Sequence, residues 1–454
     1  MLRLFYYISS INYLKLINKN RQLLFFFSFS FLVQLMWLLA FYPGFMSVDS
    51  ISQWDQAYTF QLNDWHPYLS TLYIWLFQRI FGNPASVSVF QIFSTTLFFS
   101  WMFDLFLKKG IKKFIIIPLF IIFSISIPIG VYNITLWKDI PFSLSIVMFG
   151  FFLSQTLNKE SWCKLDYLLF TALSVLTIYM RHNGIVFLLI TPVIIFLFSR
   201  KKLISTTLIL IFVYLFFSFV VPKILEVKPK QFYLSRISIL HAEVGLYNNQ
   251  PWTNLSKETT DLLEDLGSKS ELNSIYNPVC ADYIFSGDIN PELINSKEYW
   301  DKLTVRFVSE DIVNNISFYL GDRFNMFVST LLGSRMIYIP EIADNTNDIR
   351  FSPVSNSLNS IAVKILDDIN GNPVLFFMVW NNLIPLVVLM FALLDSCYKK
   401  NIPLIIFSLF ILCQLPFIFF LSTCADWRYL YFCYLAGFIA IPMYFVKPDK
   451  LRKT

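Results

Sequence analysis

Apolar runs of about 20 residues, the length that crosses a hydrocarbon core, recur along this chain between short polar breaks. The plain ones are 22–42, 85–107, 114–131, 140–157, 203–222, 373–396, 402–422 and 427–446. Two shorter runs, 166–180 and 184–199, flank Arg181-His182-Asn183-Gly184. The pattern predicts an all-α polytopic membrane protein with about ten transmembrane helices. One further run, Tyr68 to Phe81, is short for a span and ends Gln78-Arg79 before its last two apolar residues. It is predicted to lie along the outer surface as a juxtamembrane helix.

Basic residues orient the spans. With 68–81 on the surface, Lys108-Lys109, Lys112-Lys113, Lys159, Lys164, Arg200-Lys201-Lys202 and Lys399-Lys400 share one side with Lys15, Lys19, Arg21 and the tail cations Lys447, Lys450, Arg452 and Lys453. A crossing at 68–81 would split these clusters. The positive-inside rule therefore places both ends of the chain in the cytoplasm. A Pro-Gly and an acidic loop follow the first run instead of a small-residue cleavage site, so that run is expected to stay as a membrane helix.

The outer surface then comprises 43–84, short loops near 132–139, 181–184 and 423–428, and a polar, Asn-rich insertion at about 223–372. Within the insertion, Ser256 to Leu266 and Leu303 to Leu332 read as helices, the first opened by Ser256-x-x-Thr259 with acidic residues close behind. Three modules are expected: 1–222, carrying the first outer loop 43–84; the mainly helical extracytoplasmic insertion 223–372; and a three-helix module 373–454.

Composition agrees with lipid exposure. Of 454 residues, 56% are hydrophobic and 15% charged, against roughly a quarter charged in soluble domains. The net charge of +6 belongs to inside-facing loops, and no basic, aromatic-interleaved soluble domain points to nucleic acid. The six cysteines include no CxxC pair or other metal spacing. Cys280 and Cys424 both fall in segments placed outside, where a disulfide and two free thiols are both open readings.

The candidate chemistry gathers at the outer ends of spans. Asp49 lies just beyond the first one. It is either the N-cap of a helix beginning at Ser50 or a carboxylate set at the level of an amphipathic substrate's head. Asp55 and Asp64 admit the same two readings. His66 before Pro67 fits an N-cap with Pro at N1, and one histidine is weak evidence for a metal. Run 166–180 spans only about 22 Å of a core about 30 Å thick. Arg181 and His182 therefore either end short helices at headgroup level or dip toward a polar cavity or an anionic partner such as a phosphate. Trp137-Lys138-Asp139 and Asp426-Trp427-Arg428-Tyr429 read as ion pairs with aromatic anchors or as parts of one site. Asp49 with Lys138, Arg181 and Arg428 at one depth suits transfer from an anionic lipid. The carboxylate would take a proton from an acceptor, and the cations would stabilise a departing phosphate.

An acidic residue after the first span, followed by Asp64-Trp65-His66-Pro67 leading into a helix that ends Phe81-Gly82, resembles bacterial membrane glycosyltransferases of the GT-C fold, closest to the family-39-like enzymes. The Arg-x-Asn-Gly of 181–184 and Arg428-Tyr429 are similar to features of that superfamily. The resemblance implies a polyprenyl-phosphate-linked sugar donor and an envelope glycan, lipid or protein acceptor. It implies Asp49 as catalytic base and Arg181, then Lys138 and Arg428, as phosphate-binding cations. His182, His66, Asp64 and Tyr429 complete the expected substrate-binding set. Asp49-Ser50 stands where the family has Asp-Glu, and Tyr68 where it has a second Pro. No cofactor is required by this reading, and a divalent metal is not indicated. The expected location is a bacterial cytoplasmic membrane, multi-pass, with the site facing outward. Two rivals are a polysaccharide polymerase or ligase using polyprenyl-diphosphate-linked glycans, where basic residues should dominate the site, and a transporter or flippase. Against the latter stand the lack of a mid-membrane acidic residue and of an inverted repeat.

Overall fold

The structure, a computed structural model, describes residues 20–229, 234–286, 289–333 and 352–446. Among these residues every regular element is helical, and extended pairing is limited to isolated bridges. The protein is a helical membrane protein. Six helices are long and apolar enough to cross a bilayer: α1 (Arg21–Ala40), then, after α2 (Val48–Thr59) and α3 (Tyr68–Phe81), α4 (Ala85–Lys108), α5 (Asp139–Thr156), and the spans Arg200–Ile224, Pro373–Lys399 and Ile402–Leu421.

The remaining four of the ten expected runs differ from full spans for identifiable reasons. Run 114–131 becomes Lys113–Ile125 and Ile127–Asn133, bent by 47°. The break falls at Ser126, which caps the second piece by accepting from Ile129 N, with Pro128 in its first turn. Proline supplies no backbone donor, so the chain cannot carry one helix smoothly through this point. Runs 166–180, 184–199 and 427–446 form Lys164–Tyr179, His182–Phe198 and Trp427–Phe445, the last two each opening with a 3₁₀ turn. Their α-helical portions are 16, 12 and 15 residues. At 1.5 Å per residue these reach at most about 24 Å, short of a core about 30 Å thick.

Helix α5 sits at the centre: 78% of its apolar window is buried, against 17% for Arg200–Ile224. It packs on Lys164–Tyr179, Ile402–Leu412 and Tyr431–Phe445, while α1 packs along α4. Aromatic side chains fill the interior, among them Phe99, Phe103, Phe123, Phe149 and Phe410. The short helix α3 forms where it was expected. It lies against α2 over a small core of Met46, Trp54, Ala57, Ile74, Val87 and Leu136.

The insertion has a core of its own, built from Leu240, Val244, Leu263, Leu266, Leu272, Tyr299, Trp300 and Leu303 among others. Its predicted first helix is present: Ser256 Oγ accepts from Thr259 N at 3.0 Å and caps Lys257–Leu266. The predicted helix 303–332 is interrupted. A π-helical turn at Phe307–Asp311 precedes a break at Asn315, and the chain resumes as Ile316–Leu331. Asn315 is drawn aside by the backbone of Asn254, accepting from its N at 2.7 Å and donating to its O at 2.9 Å. Such side-chain bonding offers the backbone an alternative to the helix. Residues 334–351 of the predicted insertion, and the terminal cation clusters at 15–19 and 447–453, lie outside the described residues.

Glu243 and Asp311 face each other in the insertion's interior, both fully buried, with Thr259 Oγ1 donating to Asp311 at 2.8 Å. Burial, reinforced by Asp311, pushes the Glu243 carboxyl up to about 9. The folded form then holds a proton that the unfolded form releases near 4.5, so stability is full below that pH and falls as pH rises toward 9. Glu243→Gln should therefore flatten the pH dependence of thermal unfolding and raise stability on the alkaline side. An unchanged pH profile in the variant would contradict this.

Candidate active site

Two loops meet at one end of the bundle. Phe45 pairs with Thr135: its N donates to Ile134 O at 2.8 Å, and Leu136 N donates to Phe45 O at 3.0 Å. Gly44 permits the approach. Its φ is +115°, and a Cβ there would lie 2.6 Å from Ile134 O. The pairing delivers Ser47 to Trp137, whose Nε1 donates to Ser47 Oγ at 2.8 Å.

Ser47 is also the N-cap of α2, accepting from Ser50 N. Asp49 is therefore not the cap that the sequence also allowed. It lies in the first turn of α2, 43% exposed, with its carboxylate 4.0 Å from Lys138 Nζ. His66 does not cap α3 either. That position is taken by Pro67, and the buried His66 ring meets Lys138 Nζ through Nδ1 at 3.1 Å. An ammonium only donates, so His66 Nδ1 accepts and the ring proton is assigned to Nε2.

Burial alone would push the Asp49 carboxyl up. Lys138, assisted by His66, Arg428 and Arg181, outweighs it and holds the group below its usual range. Lys138 is shifted down, by burial first and by Arg181 and Arg428 in the same direction, against the attraction of Asp49 and Asp139.

The other cations are paired within the chain. Arg181 bonds Asp139, whose side chain is 3% exposed, and its guanidinium lies 4.8 Å from the Tyr429 ring and 5.8 Å from Phe142. Gly184 shapes this corner, because a Cβ there would come within 2.3 Å of Thr177 O. Arg428 bonds Asp426 at 2.7 Å and stacks over Trp137 at 4.6 Å and Tyr429 at 5.7 Å. Both guanidiniums thus lie against the Tyr429 ring. His182 meets Trp65 O through Nε2 at 3.3 Å. Asp64 is exposed, and its backbone N bonds Lys228 O at 3.1 Å.

A cleft of about 390 Å³ opens beside these groups, lined by Asp49, Trp137, Asp282, Tyr283, Asp426 and Arg428 with their neighbours. Of the residues expected from sequence, Asp49 and Arg428 line it. Lys138, His66 and Arg181 stand behind them, and His182 and Asp64 lie to the side. Asp139 and Asp426 were legible only as the neighbours of flagged cations. Asp282 and Tyr283 carried no signal beyond the adjacent Cys280. The structure settles that cysteine: Cys280 and Cys424 form a disulfide. Asp282 and the two sulfurs lie within 4.8 Å of one another, but sulfurs bonded together offer no thiolate, so the trio is not a metal site.

Comparison with protein-family models, curated proteins and solved structures found no match.

The Arg181–Asp139 pair gives a direct test. Arg181→Ala leaves Asp139 buried and unpaired, which should cost about 3–5 kcal/mol, whereas replacing both with Met and Leu should cost much less. Denaturant unfolding of the detergent-solubilised variants measures this. An Arg181→Ala protein as stable as wild type would contradict the pairing.

Proposed function

We propose that the protein is a membrane glycosyltransferase that moves a sugar from a polyprenyl-monophosphate donor to a hydroxyl acceptor on the extracytoplasmic side. The observation that carries this reading is Asp49. It is a carboxylate kept ionised by Lys138 at the wall of a cleft that also presents Arg428. A base must be unprotonated and within reach of its substrate, and a departing phosphate needs fixed positive charge. Asp49 and this cation group supply both.

In the proposed reaction the acceptor oxygen attacks the anomeric carbon as Asp49 removes its proton. The bond from that carbon to the phosphate oxygen breaks, its electron pair stays on the phosphate, and polyprenyl monophosphate departs. Arg428 holds the phosphate. Lys138 and Arg181 add positive potential from behind, and the Tyr429 ring packs against both guanidiniums. His66 orients Lys138. No step calls on a cofactor.

The orientation has two independent supports. Disulfides persist in oxidising compartments, and the Cys280–Cys424 bond borders the cleft. Cys163 and Cys397, free and exposed, lie with Lys159, Lys164, Lys399 and Lys400 at the other end of the bundle, where positive loops favour the cytoplasm. A polymerase acting on diphosphate-linked glycans is less well served, because Asp49, Asp282 and Asp426 outnumber Arg428 along the cleft.

The test is transfer by purified protein in nanodiscs, offered a panel of polyprenyl-monophosphate sugars and an envelope lipid extract. Wild type should transfer, and Asp49→Asn should lose about 100- to 10,000-fold in rate while staying folded. Full turnover by the variant would remove Asp49 as base. Activity on diphosphate-linked glycans alone would replace the reading with the polymerase.

A further inference from the structure

Part of the cleft wall comes from the insertion. Cys280 and Cys424 are 144 residues apart. Around their disulfide the two segments also pair through the backbone: Ala281 N donates to Thr423 O at 2.8 Å and Ala425 N to Val279 O at 2.7 Å. The next residues form a 3₁₀ turn, Ala281–Ser286. Ala281 and Ile284 point into the insertion's core, and Asp282 and Tyr283 between them stay exposed at the cleft. One face of this short turn is thus anchored and the other presented.

The chemistry of the lining is selective. Asp426 is committed to Arg428, which leaves Asp49 and Asp282 as the carboxylates available to a ligand at the open side. Two carboxylates repel an anionic acceptor and readily accept hydrogen bonds from hydroxyls. The exposed Tyr283 adds flat aromatic surface, on which the C–H face of a sugar ring can pack. The volume of about 390 Å³ falls in the roughly 300–1,000 Å³ range of small-molecule sites. We infer that Asp282 and Tyr283, held in place by the Cys280–Cys424 disulfide, form a binding subsite for a neutral, hydroxyl-rich saccharide acceptor facing Asp49.

The two carboxyls are also shifted in opposite directions. Asp282 is shifted up, chiefly by partial desolvation against the cleft wall, with Arg428 opposing the shift and Asp49 adding to it. Asp49 is shifted down. Opposed environments of this kind separate the roles of two neighbouring acids. Asp49 takes the proton and Asp282 holds the acceptor. The acceptor role rests on the transferase reading, but saccharide binding is measurable without it.

The experiment is saturation-transfer NMR on the full chain in nanodiscs. The probes are methyl glycosides of glucose, galactose, mannose and N-acetylglucosamine, with glucuronic acid as the anionic comparator. Wild type should bind at least one neutral glycoside in preference to glucuronic acid. Asp282→Asn and Tyr283→Ala should each weaken it about tenfold or more, with the thermal transition unchanged. Reduction of the disulfide should weaken it likewise. In the transfer assay Asp282→Asn should raise the acceptor KM far more than it lowers kcat, a split that a folding defect would not produce. Binding by both variants equal to wild type, preference for glucuronic acid, or no neutral glycoside bound by wild type would each overturn the inference. Glycoside binding lost in Asp282→Asn, in a protein that transfers no sugar, would keep the subsite and overturn the transferase instead. Transfer lost only in Asp49→Asn, with the acceptor KM unchanged in Asp282→Asn, would do the reverse.

Discussion

Charges buried at the mouth of an apolar bundle persist only when they are paired, because an isolated ion loses its hydration with nothing in return. That constraint organises the end of this molecule where the cleft lies. Asp139, at the start of the central helix, is covered by Arg181 from a different helix pair. Asp426 is covered by Arg428, and Lys138 stands between Asp49 and His66. The Arg181 and Lys138 contacts tie together segments distant in the chain, while Asp426 and Arg428 pair within one turn, and the aromatic rings of Trp137 and Tyr429 pack among them. Asp49 is the member least enclosed. The same pairing that stabilises the bundle therefore leaves one ionised carboxylate open to a ligand.

The second constraint is the attachment of the insertion. The core of its 237–303 part is separate from that of the bundle, whereas Leu331, Ala362, Leu366 and Ile369 join the bundle's core, so the position of the 237–303 part depends on a few links. The disulfide is one. Another is the buried Arg323, which donates to Ser422 O at 3.1 Å and to Asp322 at 3.0 Å. Its Nη2 also meets His241 Nδ1 at 3.2 Å. A third is Asn382, whose backbone N donates to Leu331 O at 2.8 Å and whose side chain donates to Trp427 O at 3.2 Å. All three meet the 422–427 region or the helix end beside it. The insertion is thereby fastened to the segment that carries Arg428, which is why its Asp282 reaches the cleft.

Much of this was readable in the sequence, and the rest was hidden for physical reasons. Hydropathy and charge located the helices, the short α3 among them, because lipid exposure imposes a strong local signal. The same signal does not fix how many runs form full-length helices. An apolar run such as 114–131 says nothing of the bend that Ser126 and Pro128 introduce. Asp49, Lys138 and Arg428 were legible because each sits at a span end, where a charge is conspicuous. The choice between a capping and a functional Asp49 was not, since Ser47 and Asp49 are both good caps and only the loop pairing at Phe45 decides between them. Asp282 was the least legible residue of all. It depends on a contact across 144 residues, and no local pattern encodes one.

In the proposed reaction a hydroxyl activated by Asp49 displaces the donor phosphate directly, in one step. The most direct measurement is the anomeric configuration of the product formed by the purified protein, read by NMR against that of the donor, together with the identity of the lipid released. A single displacement predicts an inverted anomeric centre and free polyprenyl monophosphate. A retained configuration, or release of a polyprenyl diphosphate, would contradict it.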